Sequence, residues 1–277
     1  MATKKELPTA CVVGREDLTE DLMKMWLEPP SEFQGFQAGQ YCTIGVDGCY
    51  RPYSIASAPK DPIIELFLEL IPPEMRTPKS LTPKLWEKHP GDTVTFFPKA
   101  KGTFLFDPNF GTHIMIATVT GVAPYVGMLR MLKTGDRPKN LKPDMRIYVF
   151  EGASYQDEFG YLEELRLREY DELPWLKERR SQEYTEEVRF IPTVSRPYDP
   201  AKPETIRNKG WNSQTGRVNL IVEEYLDHYK ITPEDTLVYL CGNERMIDDL
   251  GNTEPTETKP IGKLIAKGYT VRQEVFF

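Results

Sequence analysis

The stretch His113-Ile114-Met115-Ile116-Ala117-Thr118-Val119-Thr120-Gly121-Val122-Ala123-Pro124-Tyr125-Val126-Gly127-Met128-Leu129-Arg130-Met131-Leu132 reads as one strand followed by one helix. His113–Ala117 is a short apolar run of the length a buried strand uses, and Val122–Leu132 is a helix candidate. Downstream the alternation repeats. Arg146–Phe150, Val188–Thr193 and Leu237–Cys241 are further buried-strand candidates. Tyr161–Tyr170, Arg217–Tyr229 and Asn243–Leu250 are helix candidates beside them. Strands alternating with helices predict a parallel sheet covered on both faces.

Upstream the period changes. Ala10–Gly14, Met23–Leu27, Gln40–Gly45, Arg51–Ala56, Ile63–Leu70 and Thr93–Phe97 are short strands separated by turn residues. Six such strands at close spacing predict a small antiparallel β-barrel. One helix interrupts them: Thr82 can cap it, Pro83 suits its first turn, and Pro90-Gly91 ends it. With 277 residues the chain has room for two domains. The boundary is expected near Phe106-Asp107-Pro108-Asn109, giving domains 1–108 and 109–277. Residues 171–187 and 251–260 read as insertions, the latter as a mobile surface loop.

Arg51-Pro52-Tyr53-Ser54 is the densest chemical signal in the first half. A guanidinium can fork onto a pyrophosphate, a phenol ring can lie on an aromatic heterocycle, and a hydroxyl can reach a ring nitrogen. In an extended segment Arg51 and Tyr53 share one face, so a single ligand could meet both. The same four residues also suit an ordinary edge strand carrying a surface Arg.

Composition narrows the classes. The formal net charge of −7 argues against general nucleic-acid binding. The apolar run at 63–71 is short and broken by carboxylates, hence a strand and no membrane span. No leader pattern opens the chain, and a cytoplasmic protein is expected. Cys11, Cys42, Cys49 and Cys241 form no metal-ligand spacing, and His89, His113 and His228 are scattered. No metal is expected.

A barrel, a parallel α/β half and Arg51-x-Tyr53-Ser54 between them resemble the ferredoxin–NADP+ reductase family, in particular its bacterial flavodoxin/ferredoxin reductases. The likeness runs over nearly the whole chain. It implies an FAD-binding barrel and a nucleotide-binding α/β domain. Arg51 would then meet the FAD pyrophosphate, Tyr53 would stack on the ring system, and Ser54 would face flavin N5, with Pro52 and Ile55 alongside. Lys79-Ser80-Leu81-Thr82 resembles the segment that opens a helix against the FAD phosphates. Thr118-Val119-Thr120-Gly121-Val122 is similar to the family's nucleotide loop, with Val119 where a glycine is usual. Ser195-Arg196, with Arg217 downstream, resembles the grip on the NADP 2′-phosphate. Cys241-Gly242 with Met246 resembles the motif beside the nicotinamide. Glu274 matches the family's proton-relay acid, and Phe276 or Phe277 the terminal aromatic on the flavin. Each of these also has an ordinary structural use: a helix cap, a solvent-facing Arg, a last strand packing two Phe rings.

Such a protein exchanges electrons between NADP(H), two at a time as hydride, and ferredoxin or flavodoxin, one at a time. Ser54, Cys241 and Glu274 would be the catalytic set, FAD the cofactor and NADP(H) the substrate. From Arg76 to Lys101 there are six basic and two acidic residues, a local +4 that suits an acidic carrier. Residues 157–187 hold eleven acidic and five basic ones. Two alternatives remain: an NADH-using reductase subunit of an oxygenase or larger redox complex, and a non-catalytic flavin-binding regulatory subunit.

Overall fold

A computed structural model describes residues 7–134, 136–170 and 187–275. The chain divides into two compact units, one of residues 1–105 with 123–136, the other of residues 106–122 with 137–277.

The first unit is built on six antiparallel strands: β1 (Thr9–Asp17), β2 (Leu22–Glu28), β3 (Tyr41–Val46), β4 (Cys49–Ser54), β5 (Ile64–Glu69) and β6 (Thr93–Phe96). Their order is β4-β3-β6-β1-β2-β5. The Ala56 amide, just past β4, donates to the Glu65 carbonyl on β5 at 2.9 Å, so the sheet curls until its two edges meet. Closure buries a continuous core from Val12, Met23, Met25, Ile44, Leu66, Leu68 and Phe96. A slip in the register between Val12 and Gly14 marks a bulge on β1, which helps the sheet bend.

Thr82 does not cap the helix that interrupts these strands. Helix α1 (Thr82–Trp86) has Leu81 at its N-cap, in helical conformation and without a side-chain cap. The Thr82 hydroxyl is taken by the Ile71 amide, which donates to it at 3.1 Å. The helix also stops at Trp86, short of the expected stop at Pro90-Gly91. Arg15 explains part of that stop: its Nη1 donates to the Trp86 carbonyl at 2.6 Å and to the Lys88 carbonyl at 3.0 Å.

Helix α2 (Ala123–Lys133) belongs to the same unit. It lies against the segment that follows β4. Gly127 is required there, since a Cβ would stand 2.8 Å from the Ile55 carbonyl oxygen. Arg130 Nη1 donates to the Ala56 carbonyl at 3.1 Å and to Glu65 Oε2 at 2.8 Å, and Trp26 Nε1 donates to that same oxygen.

The second unit is a six-stranded parallel sheet of β7 (Thr112–Thr118), β8 (Arg146–Ala153), β9 (Glu187–Val194), β10 (Gln214–Thr215), β11 (Thr236–Cys241) and β12 (Thr270–Glu274). The order is β10-β9-β8-β7-β11-β12. From β7 the chain builds outward one way through β8 and β9, then returns to the other side with β11. The C-terminal ends of β7 and β11 therefore flank a topological switch point, where open α/β sheets bind ligands. Helices α3 (Leu162–Tyr170), α4 (Val218–His228), α5 (Glu244–Gly251) and α6 (Lys263–Ala266) connect the strands. Side chains of α4, α5 and α6 meet Ile114, Ile116, Tyr148, Phe150, Val238 and Leu240 in one apolar core. Among the described residues no helix is long and apolar enough to cross a membrane. The insertion expected at 171–187 falls, except for Glu187, outside the described residues.

Candidate functional site

In the first unit, β4 pairs with β3 so that Arg51 faces Ile44 and Tyr53 faces Cys42 in register. Tyr53 is half-buried and rests on the barrel core, and that burial drives its phenol well above the ordinary value. Arg51 is exposed. Its Nη1 donates to the Tyr50 carbonyl at 2.8 Å and its Nη2 to the Lys79 carbonyl at 3.3 Å. This ties Lys79-Ser80-Leu81-Thr82 to the end of β4. Pro52 is exposed beside them.

Ser54 differs from its neighbours. It is 8 % exposed, and its buried Oγ has no hydrogen-bond partner. A buried hydroxyl without a partner is costly, and sites that receive a ligand are where such groups are tolerated. Ile55 and Leu81 are core residues. The Ile55 amide is already given to the Gln40 carbonyl. The Ser80 hydroxyl accepts from the Thr77 amide at 2.9 Å. Phe276 and Phe277 lie outside the described residues.

In the second unit, β7 ends at Thr118 and a 3-10 turn (Val119–Val122) follows. Gly121 approaches the backbone of β11 so closely that a Cβ would fall on the Cys241 carbonyl. The Thr118 hydroxyl accepts from the Asn243 amide at 2.7 Å, stapling the two strand ends together. Gly242 takes a φ of 129°, open only to glycine. Val119 has a φ of 44°, a strained value for a β-branched side chain. Its side chain packs on the small apolar cluster of Ala153, Phe159 and Val194, as do Leu162 and Trp211. Thr120 is half-buried and Val122 wholly buried.

Cys241 is fully buried at the end of β11, in register with Ala117 on one side and Glu274 on the other. Burial, and then the neighbouring Glu274 carboxylate, push its thiol far above the usual range, so it is no nucleophile at neutral pH. Glu274 Oε2 is buried without a partner, and desolvation raises its carboxyl from 4.5 to about 7. Met246, on α5, is a core residue, so only its surface edge is open to a ligand.

Ser195 and Arg196 follow β9 and are exposed, and exposed Arg217 is the N-cap of α4. Arg196 Nη1 donates to the Tyr155 hydroxyl at 2.8 Å. Motif reading missed Tyr155, Arg207 and Asn208, which surround Arg196. It also missed Glu151, wholly buried on β8 with neither carboxylate oxygen bonded, whose pKa burial raises well above the ordinary range. A carboxylate inside the apolar run Ile147-Tyr148-Val149-Phe150-Glu151 was the available signal. Among the described residues no group of His, Cys, Asp and Glu is arranged to hold a metal ion.

Residues 115–251 match the family model of the oxidoreductase NAD-binding domain. The flavodoxin/ferredoxin–NADP reductase of Escherichia coli (strain K12) is 30% identical over 251 residues, which is 87% of each chain. A chloroplastic embryo isozyme of ferredoxin–NADP reductase from Oryza sativa subsp. japonica is 31% identical over 61% of this chain and 39% of its own. Among solved structures, a ferredoxin NADP+ reductase from Neisseria gonorrhoeae, with FAD and NADP bound, superposes with a TM-score of 0.70. That match covers 99% of this chain and 100% of that one at 19% identity.

Proposed function

The chain belongs to the flavodoxin/ferredoxin–NADP reductase family, and we propose that it is an FAD-dependent enzyme that moves electrons between NADP(H) and a small one-electron carrier, ferredoxin or flavodoxin. The observation that carries the reading is a pair of orphaned buried oxygens, Ser54 Oγ in one unit and Glu274 Oε2 in the other. Each stands at a position the family motifs give to flavin chemistry. FAD, when bound, supplies the exchange of two electrons with a nicotinamide and of single electrons with a carrier.

The chain's own residues bind, orient and hold protons. Arg51 offers a guanidinium already braced by two carbonyls, suited to a pyrophosphate. Tyr53, packed against the core, offers an aromatic ring, and Ser54 offers a free hydroxyl to a ring nitrogen. Residues Thr118–Val122 present a tight turn to a second pyrophosphate, as helix-opening loops in such sheets do. Cys241, protonated and flanked by small Ala117, provides an uncharged wall for an aromatic ring. Glu274, its carboxyl raised to about 7 by burial, can hold a proton near neutral pH.

Domains 1–108 and 109–277 would carry FAD and NADP(H) respectively, with Phe276 or Phe277 covering the flavin. An acidic carrier would dock on the basic stretch 76–101. All four cysteines are free thiols, which supports a reducing, cytoplasmic compartment.

The test is an absorbance spectrum. Purified protein should be yellow, and anaerobic NADPH should bleach the flavin bands. A colourless protein that takes up no added FAD would overturn the reading, and a yellow one unchanged by NADPH and by NADH would leave only flavin binding.

A further inference from the structure

Around Arg196 the structure holds a construction that no sequence motif announced. The Tyr155 ring is 8 % exposed and serves two guanidiniums. Arg207 Cζ stands 4.0 Å from its centroid and Arg196 Cζ 5.3 Å. Two cations on one ring repel unless one is neutralised, and one is. Arg207 Nε and Nη2 grip Asp157 at 2.8 and 2.7 Å, with Glu158 at 3.7 Å. Arg196 bonds only the uncharged Tyr155 oxygen and has no carboxylate partner among the described residues. Its charge is unspent and its side chain is exposed.

The backbone beneath it is fixed separately. Asn208, 1 % exposed, donates from Nδ2 to the Arg196 carbonyl at 2.6 Å and to the Ser154 carbonyl at 2.9 Å. Its Oδ1 accepts from the Gln156 amide at 2.7 Å. Both Nδ2 donors and the Oδ1 acceptor of one buried amide thus go into joining the turn after β8 to the loop that carries Arg196. The turn itself is closed by Glu158 Oε2, which accepts from the Ser154 and Tyr155 amides at 2.8 and 3.1 Å.

We propose that Tyr155 and Asn208 are positioning residues that hold Arg196 ready for a phosphomonoester on the ribose 2′ position, and thereby set the preference for NADPH over NADH. This rests on the reading of Arg196 as the 2′-phosphate ligand. A free arginine loses much rotamer freedom on binding, and a braced one has already lost it. A carboxylate brace would have consumed the charge; a phenol does not.

The experiment is calorimetric titration of the FAD-loaded protein with NADP+, NAD+ and adenosine 2′-monophosphate, alongside steady-state kinetics. The variants are Tyr155→Phe, Asn208→Ala and Arg196→Ala. Tyr155→Phe keeps the ring and removes only the brace. It should weaken NADP+ and adenosine 2′-monophosphate about fivefold, the net effect of one ordinary hydrogen bond. NAD+ affinity should not change, and with NADPH the loss should appear in KM and not in kcat. Asn208→Ala should move the same ratio in the same direction; should it fail to fold, Tyr155→Phe decides alone. If Arg196→Ala weakens NADP+ selectively and Tyr155→Phe does not, the positioning role is wrong while the phosphate reading stands. Equal weakening of NADP+ and NAD+ by Tyr155→Phe would make its role merely structural and also overturn the proposal. If Arg196→Ala leaves the NADP+ to NAD+ ratio unchanged, the phosphate reading itself falls.

Discussion

Glu274, Glu151 and His113 are three titratable groups of the second unit whose burial outweighs their partners. Glu274 is raised to about 7 and Glu151 well above the ordinary carboxylate value, both first by desolvation. His113, stacked 4.3 Å from Phe106 with Nδ1 unbonded, is pushed down to about 4 by the same cause. The signs are opposite. For Glu274 the folded pKa exceeds the ordinary 4.5, so its contribution to stability is whole below about 4.5 and is lost as pH rises through about 7. For His113 the contribution is whole above 6.5 and is lost as pH falls through about 4. Glu274→Gln should therefore unfold at the parent's temperature at pH 4.5 and at a higher one at pH 8, read by calorimetry across that range. It should also remove from the NADPH-dependent rate any limb centred near pH 7. A parallel pair of stability curves would show that Glu274 ionises freely in the folded protein.

At the scale of elements, a polar cluster joins α2 to the strands of the first unit. Arg130 and Glu65 meet at 2.8 Å with side chains 23% and 10% exposed, and Trp26 Nε1 shares the same carboxylate. Removing one member of a buried pair strands the other. Arg130→Ala should cost about 3 kcal/mol in denaturant unfolding, whereas Arg130→Met combined with Glu65→Leu should recover most of it. A single variant as stable as the parent would place the pair in water.

This cluster also marks where sequence reading ends. The six strands of the first unit and four of the sheet strands were legible because periods of 2 and 3.6 are local signals. The Arg130–Glu65 bond joins positions 65 residues apart, and nothing near either one announces it. Strand β10 has two residues, too short for any period, and β12 presents Thr270, Arg272, Gln273 and Glu274 with little apolar alternation. At Thr82 a good capping residue was outcompeted by a tertiary bond to Ile71. The site divides in the same way: Arg51 to Ser54, Cys241 and Glu274 stand on contiguous motifs, while Tyr155 and Asn208 act on Arg196 from loops with no pattern of their own.

For the whole molecule the governing quantity is charge distribution, since a net −7 should repel an acidic carrier. The basic stretch 76–101 is weaker than its local +4 implies. Lys84 is paired with Asp47 at 2.9 Å, which offsets one of those charges, whereas Arg76 donates its Nε to the uncharged Ile71 carbonyl and keeps its own. Lys99 and Lys101 are exposed, and no ion pair is found for either among the described residues. If they steer the encounter, Lys99→Glu with Lys101→Glu should lower kcat/KM for ferredoxin or flavodoxin about tenfold at low salt. The deficit should shrink as ionic strength rises past about 0.1 M, where the screening length falls to about 10 Å. Reduction of a small uncharged dye by NADPH should be indifferent to both the substitutions and the salt. A loss that persists at high salt would mean that the two lysines make short-range contacts, and no loss at any salt would place the docking face elsewhere.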